Sequence, residues 1–321
     1  MEIDSAISNK IFETIFNSKN ILIISHRNSD PDCLGSNLAL RHVFKRPGVN
    51  ITSACVDLIP DNYKFFTELN KFINEINPSD YDLFISLDCG SPDQAGFPLK
   101  HPEMMEMKTP WINIDHHPSN SGYGTINLVD DKAAATVLIL HALFQKWGVD
   151  ITPYLATCLL FGLYFDTGSF MHSSTDADVL KAAADLLAKG ANHKLIVQKL
   201  FKNRSVEQLK IWGKALSNVR VTENNVIVTG IMENDFRDCN ATCSDLSGII
   251  DYLSSVKGVQ FATILSHDTE GNVRGSLRTR RDDVNVSEIA GTFGGGGHKK
   301  ASGFTMKGRL RKKTYWSITS D

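Results

Sequence analysis

Residues 20–36 read Asn20-Ile21-Leu22-Ile23-Ile24-Ser25-His26-Arg27-Asn28-Ser29-Asp30-Pro31-Asp32-Cys33-Leu34-Gly35-Ser36. The run Ile21 to Ile24 leaves no polar face, the pattern of a strand buried on both sides in a parallel sheet. Pro31 cannot continue the ladder, and a helix is expected from about Gly35 to Lys45, stopping before Pro47-Gly48. The joint carries one imidazole, His26, and two carboxylates, Asp30 and Asp32, in a loop able to turn all three towards one point. A polar loop whose acids cap a helix has the same composition, and spacing alone does not separate the two readings.

The same grammar recurs along the chain. Ile51 to Val56, Leu83 to Leu87 and Trp111 to Ile114 are further strand candidates with helical patterns between them. The expected fold is therefore α/β, a doubly wound, mainly parallel sheet. In such sheets ligands bind beyond the carboxyl ends of the strands. His26, Asp88 and Asp115-His116-His117 all fall at those ends. Lys132 to Trp147 and Tyr154 to Phe165 are apolar almost all round and read as buried helices; the second leads directly into Asp166-Thr167-Gly168.

Asp88 alone reads first as a helix cap. Asp115-His116-His117 is sharper. Adjacent side chains on an extended segment point opposite ways, so one histidine can hold metal while the other faces substrate or packs. Crowded carboxylates raise one another's pKa values, and two divalent ions remove that conflict. The donors are oxygen and imidazole with no thiolate, which suits Mn²⁺, with Mg²⁺ or Fe²⁺ as alternatives, better than structural zinc. A pair of such ions can clamp a phosphoryl group for in-line attack. The chain reads as a metal-dependent hydrolase.

Composition narrows the partners. The 321 residues are 42% hydrophobic and 22% charged, the balance of a soluble globular protein with room for two domains. No apolar run is long enough to span a membrane, and Met1-Glu2-Ile3-Asp4 does not open a signal peptide, so a cytoplasmic location is expected. A net charge of −2 argues against coating long nucleic acid and for a small anionic ligand. Six scattered cysteines are expected to be reduced thiols; Cys239 and Cys243 lack a second Cys or His pair nearby.

The stretch from Ala177 to about Ser217 reads as helical and more charged. Beyond it come strand-like Asn225 to Met232, a helical stretch around Leu246 to Ser255, and an antiparallel pair, Val259 to Leu265 and Val273 to Arg280, turning through His267 to Asn272. Alternation in the last strand puts Arg274, Ser276, Arg278 and Arg280 on one face. A solvated sheet face would look the same, but guanidinium groups also offer forked donors to phosphate. Then follows Phe293-Gly294-Gly295-Gly296-Gly297-His298. Four successive glycines are costly in chain entropy. They let backbone amides approach an anion, with His298 as an added donor.

Together these motifs resemble the DHH phosphoesterase superfamily, named for its Asp-His-His motif. The resemblance covers nearly the whole chain, and the compact length is similar to the NrnA-type oligoribonucleases and 3′-phosphoadenosine 5′-phosphate phosphatases within it. It implies a DHH domain over residues 1–190, a helical linker over 191–220 and a smaller α/β DHH-associated domain over 221–321, with a substrate cleft between the domains. It implies that His26, Asp30 and Asp88 hold one Mn²⁺ and that Asp32, Asp88, His116 and Asp166 hold the other. Asp115 would steady His116, and His117 would contact the scissile phosphate. Ser276, Arg278, Gly295, Gly296, Gly297 and His298 would grip the substrate. The superfamily's first motif usually reads His-x-Asn-Pro-Asp-Gly-Asp; here Ser29 stands for its Pro and Pro31 for its Gly. The implied activity is hydrolysis of short oligoribonucleotides, such as pApA, to mononucleotides, with removal of the 3′-phosphate from phosphoadenosine phosphate by the same clamp. A homodimer is also implied. Cleavage of cyclic dinucleotides, cleavage of polyphosphate, and a catalytically dead nucleotide-binding protein are the rival expectations.

Overall fold

Ile21 to Ile24 form the centre of strand β1 (Asn20–Ser25), and their side chains alternate between two cores. Ile21 and Ile23 pack with Ile85, Ile112 and Ile114 on one face. Leu22 and Ile24 pack with Phe84, Phe97 and Trp111 on the other. Full burial of each such side chain contributes about 1.5–3 kcal/mol. The computed structural model describes residues 3–202, 204–268 and 271–311. The chain divides into two compact units, Met1–Lys202 and Asn203–Asp321.

In the first unit β1 pairs with β2 (Asn50–Ala54) and β3 (Leu83–Leu87), and the sheet continues through β4 (Trp111–Asp115) to β5 (Ile126–Val129). Every pairing is parallel, and the order is β2-β1-β3-β4-β5. The order reverses between β1 and β3, which opens a crevice at their carboxyl ends. Helices α1 (Ser5–Asn17), α2 (Pro31–Phe44), α5 (Thr136–Lys146) and α6 (Pro153–Asp166) contribute to the Ile21 face. The short α3 (Pro92–Ala95) and α4 (Phe97–Lys100) contribute to the other.

Helix α2 starts at Pro31, four residues ahead of the expected Gly35. Proline suits the first helical position, where its missing N–H has no partner to lose. Asp30 supplies the cap: its Oδ1 accepts from the backbone N–H groups of Asp32 (3.0 Å) and Cys33 (3.1 Å). Asp32 therefore sits in the first turn of a helix rather than in a loop. Helices α2 and α6 meet through glycines. A Cβ on Gly35 would lie 2.5 Å from the Cys158 carbonyl oxygen.

Helices α7 (Ala177–Ala188) and α8 (His193–Phe201) complete the first unit. In the second unit, α9 (Val206–Ser217) packs Ile211 and Ala215 against Ile227 and Ile249. Its sheet comprises β6 (Arg220–Val221), β7 (Ile227–Ile231), β8 (Ala262–His267), β9 (Asn272–Arg278), β10 (Gly296–His298) and β11 (Ala301–Lys307). Their order is β10-β11-β9-β8-β7-β6, with only β7 and β8 parallel. Helices α10 (Glu233–Cys239), α11 (Ile249–Ser254) and α12 (Val286–Gly291) accompany it. The turn expected at 267–272 includes residues 269 and 270, which lie outside the described residues.

Candidate active site

Four segments of the first unit deliver their polar ends to the β1/β3 crevice. His26 follows β1, Asp88 follows β3, His116 and His117 follow β4, and Asp166 closes α6. Asp88 is at the centre. Its φ of 60° is a left-handed conformation that a non-glycine residue adopts rarely, and it aims the carboxylate inward. The residue is 1% exposed. Asp88 Oδ1 accepts from Thr136 Oγ1 at 3.0 Å and lies 3.4 Å from His116 Nε2. Oδ2 lies 3.6 Å from His26 Nε2. One carboxylate thus faces a different imidazole with each oxygen.

The two rings are set from behind. His26 Nδ1 donates to the Arg27 carbonyl at 2.7 Å, which leaves Nε2 towards Asp88 and towards Asp30 Oδ1 at 3.7 Å. His116 Nδ1 donates to the Ala133 carbonyl at 3.2 Å, and its Nε2 lies 3.3 Å from Asp166 Oδ2. Such backbone anchors fix ring tautomer and orientation. Asp32 is wholly buried, with Oδ2 accepting from Thr136 N at 2.6 Å and Oδ1 from Val137 N at 3.0 Å. It caps α5, whose own N-cap, Ala135, has no side-chain acceptor. Among the described residues, His26, Cys33 and Asp88, then Asp88, His116 and His117, then Asp32, His116 and Asp166 form clusters with ligand atoms within 4.8 Å of one another.

Three expectations change here. Both histidines of the Asp-His-His run turn to Asp88, with His117 Nδ1 3.6 Å from its Oδ1. The strand ends at Asp115, so the opposed geometry of an extended pair does not apply beyond it. Asp115 steadies His117 rather than His116: its Oδ1 accepts from His117 Nδ1 at 2.7 Å and its Oδ2 from Asn120 Nδ2 at 2.6 Å. Finally, a thiol stands beside the oxygen and imidazole donors: Cys33 Sγ lies within 4.8 Å of a ligand atom of His26 and of Asp88.

Electrostatics follow from burial and crowding. Burial, then Asp88, hold the Asp32 carboxyl well above the usual carboxylate range. Burial, then Asp32, Asp30 and Asp88, do the same to Asp166. Burial pulls His116 down, but Asp88, Asp32 and Asp166 outweigh it and lift it to about 11. His26 is likewise raised: burial opposes, and Cys33, Asp30 and Asp88 prevail. Asp88 is held well below its ordinary value, because His116 and His26 outweigh its burial.

In the second unit, register aligns Ser276 with Gly303 and Gly303 with Gly296; Arg278 aligns with Ala301 and Ala301 with His298. Val273, Gly275 and Leu277 are buried, while Ser276 and Arg278 are half-buried and Arg274 exposed. Arg280 lies past the end of β9 and is exposed. Arg278 Nε lies 2.9 Å from Asp251 Oδ1, with the N–H off the line to the oxygen, so the contact is an ion pair rather than a hydrogen bond. Gly295 and Gly297 answer first to the fold: a Cβ on either would meet the Gly303 or Ala301 carbonyl, at 2.1 and 2.7 Å. Gly296 opens onto space.

Residues 20–163 match the DHH family, N-terminal domain, and residues 223–314 match the DHHA1 domain. A protein of Thermus thermophilus named bifunctional oligoribonuclease and PAP phosphatase NrnA is 31% identical over 90% of this chain and 84% of its own. The chain belongs to the DHH family. A Mycoplasma genitalium protein of the same name is 27% identical, over 94% of this chain and 92% of that one. The crystal structure of an exopolyphosphatase-related protein from Bacteroides fragilis has the same fold, with a TM-score of 0.89 and 24% identity over 96% of this chain and 93% of that one. DHH-family chemistry is divalent-metal-dependent phosphoester hydrolysis, and this DHH protein is a phosphoester hydrolase. Among the described residues no helix is long and apolar enough to cross a membrane.

The residues fit a pair of divalent ions. The histidine-to-carboxylate separations around Asp30, Asp88 and Asp166, 3.3 to 3.7 Å, exceed a charge-assisted hydrogen bond of about 2.7–2.9 Å. They approach the roughly 3.0–3.4 Å between adjacent ligands of an ion with bonds of about 2.1 Å. Thr136, Asn120, Cys33 and Gly162 complete the surroundings and were not singled out by sequence. The one available signal was α5, an apolar helix whose start offers no cap of its own. Gly162 is the most exacting of them: a Cβ there would lie 2.7 Å from Asp32 Oδ1 and 2.8 Å from Asp32 Cα. Gly162→Ala should cost about 1–3 kcal/mol of overpacking and weaken ion binding; a thermal melt and a Mn²⁺ titration unchanged from wild type would contradict this.

Proposed function

We propose that this protein hydrolyses short oligoribonucleotides, dinucleotides such as pApA included, to mononucleotides, and removes the 3′-phosphate from 3′-phosphoadenosine 5′-phosphate. The observation that carries this reading is the grouping of His26, Asp32, His116 and Asp166 around Asp88, with Asp30 beside His26. Relatives that match nearly end to end and are named for these two activities support the substrate class. His26, Asp30 and Asp88 would hold one ion and Asp32, Asp88, His116 and Asp166 the other, with Mn²⁺ favoured by the hard oxygen donors. When bound, such ions offset the charge that builds on phosphoryl oxygens and make water more acidic.

The remaining work belongs to the chain. Asp115, an acceptor, keeps the proton of His117 on Nδ1 and holds the ring beside Asp88. Asn120 holds Asp115 in turn. Thr136 donates to Asp88 and, with Val137, fixes Asp32, so the start of α5 sets two carboxylates at once. In the second unit Ser276, Arg278, the amides of Gly295, Gly296 and Gly297, and His298 would grip the terminal nucleotide's phosphate and sugar. Arg278→Ala should raise KM about 10–100-fold, the loss of a charge-assisted hydrogen bond of about 1.5–3 kcal/mol, and leave kcat within about threefold. An unchanged KM in steady-state kinetics would remove Arg278 from this role.

The deciding experiment incubates the protein and Mn²⁺ with pApA, a five-nucleotide RNA, phosphoadenosine phosphate and cyclic di-AMP, and resolves the products. Mononucleotides from pApA and the RNA are expected. Consumption of cyclic di-AMP with both linear RNAs intact would replace the proposal with a cyclic-dinucleotide phosphodiesterase. An inert panel would leave a nucleotide-binding protein.

A further inference from the structure

We propose that Cys33 is a ligand of the ion held by His26 and Asp88, making that position thiophilic and its neighbour hard. The inference rests on the two-ion reading above and changes its chemistry. His26, Cys33 and Asp88 each present a ligand atom within 4.8 Å of the other two. They are 6%, 0% and 1% exposed, so all three residues are buried. Cys33 follows Asp32 in the first turn of α2, which ties its position to a carboxylate of the companion site.

The hydrogen bonds around the sulfur suit a thiolate. Cys33 Sγ accepts from the backbone N–H of His26 at 3.2 Å. It can also donate to the Leu87 carbonyl at 3.3 Å, but Cys89 Sγ donates to that same carbonyl at 3.3 Å. Loss of the Cys33 proton therefore leaves no carbonyl without a donor and keeps one N–H aimed at the sulfur. On coordination the S–H bond breaks, a sulfur-to-metal bond forms and the proton leaves to solvent. Thiolate favours Zn²⁺, Fe²⁺ or Cd²⁺ over Mn²⁺ and Mg²⁺. The other cluster, Asp32, His116 and Asp166, offers only oxygen and imidazole. The two positions would then prefer different ions.

Cobalt tests this in the whole chain. Metal-free protein is loaded with Co²⁺, and its absorption is recorded. A near-ultraviolet sulfur-to-cobalt charge-transfer band is expected, absent in Cys33→Ser and retained in Cys89→Ala. Cys33→Ser should also weaken Cd²⁺ at least tenfold relative to Mn²⁺. Visible cobalt absorption without the charge-transfer band in wild type would overturn the thiolate ligand and leave the two-ion site intact. No cobalt bound at all would overturn both. Persistence of the band in Cys33→Ser would assign it to another thiol and overturn the proposal. If Cys33→Ser does not fold, zinc X-ray absorption on the unmodified protein decides: a sulfur scatterer at about 2.3 Å supports it, and a shell of nitrogen and oxygen alone at about 2.0–2.1 Å overturns it.

Discussion

Asp88→Ala is expected to lower turnover by more than about 10³-fold, beyond the 10–100-fold typical of groups that only support a ligand, and to abolish tight binding of both ions. The reason is the double use of one carboxylate. Its Oδ1 serves the His116 side, together with the Thr136 hydroxyl, and its Oδ2 serves the His26 side. No other carboxylate among the described residues stands between those imidazoles. Asp30 reaches only His26, and Asp166 only His116. Truncation would also remove one of the anions that raise His116 and His26, so both would fall from their raised values. Turnover with Mn²⁺ and calorimetric ion binding, measured on the same variant, check both halves. Near-normal rates would refute the central role of Asp88.

Chelation and pH carry the second large effect. With ion at about 1,000 times its Kd, binding to the folded state alone adds about 4 kcal/mol, roughly 8–16 °C in Tm for a unit of this size. That gain should grow with pH. Asp32 and Asp166 have raised carboxyls. Their contribution to the ion-free fold is complete below about pH 4, the ordinary carboxylate value, and is lost as pH climbs through the raised folded values. The raised histidines lose theirs later, His116 near 11. Asp88, held low, keeps its contribution until strong acid. Above about pH 4 the ion-free protein thus weakens at this site, while an ion that must displace the same protons binds better. The Tm difference between Mn²⁺-loaded and chelator-treated protein should be small at pH 5 and large at pH 8. A difference that is flat with pH would contradict proton displacement.

The first unit's fold and most of its site were legible for one reason. Each candidate ligand follows an apolar run, and an apolar run too uniform to have a wet face must be a buried strand or helix. Ile21 to Ile24, Leu83 to Leu87 and Trp111 to Ile114 are the three inner strands β1, β3 and β4. What sequence could not show was direction. Whether Asp115 bonds to His116 or His117 depends on where the strand stops. The place of Asp32 depends on Pro31 opening a helix rather than only ending a strand. Thr136 and Val137 touch Asp32 across more than a hundred residues, a contact no local pattern encodes. The glycine run was legible as a special backbone, but Gly295 and Gly297 are required first by the neighbouring strand.

The most direct test is an anomalous difference map from Mn²⁺-soaked crystals. Two peaks are expected, one on each side of the Asp88 carboxylate, the first bounded by His26 and Asp30 and the second by Asp32, His116 and Asp166. Peaks elsewhere, or an Asp88 carboxylate bonded only to protein, would contradict the account.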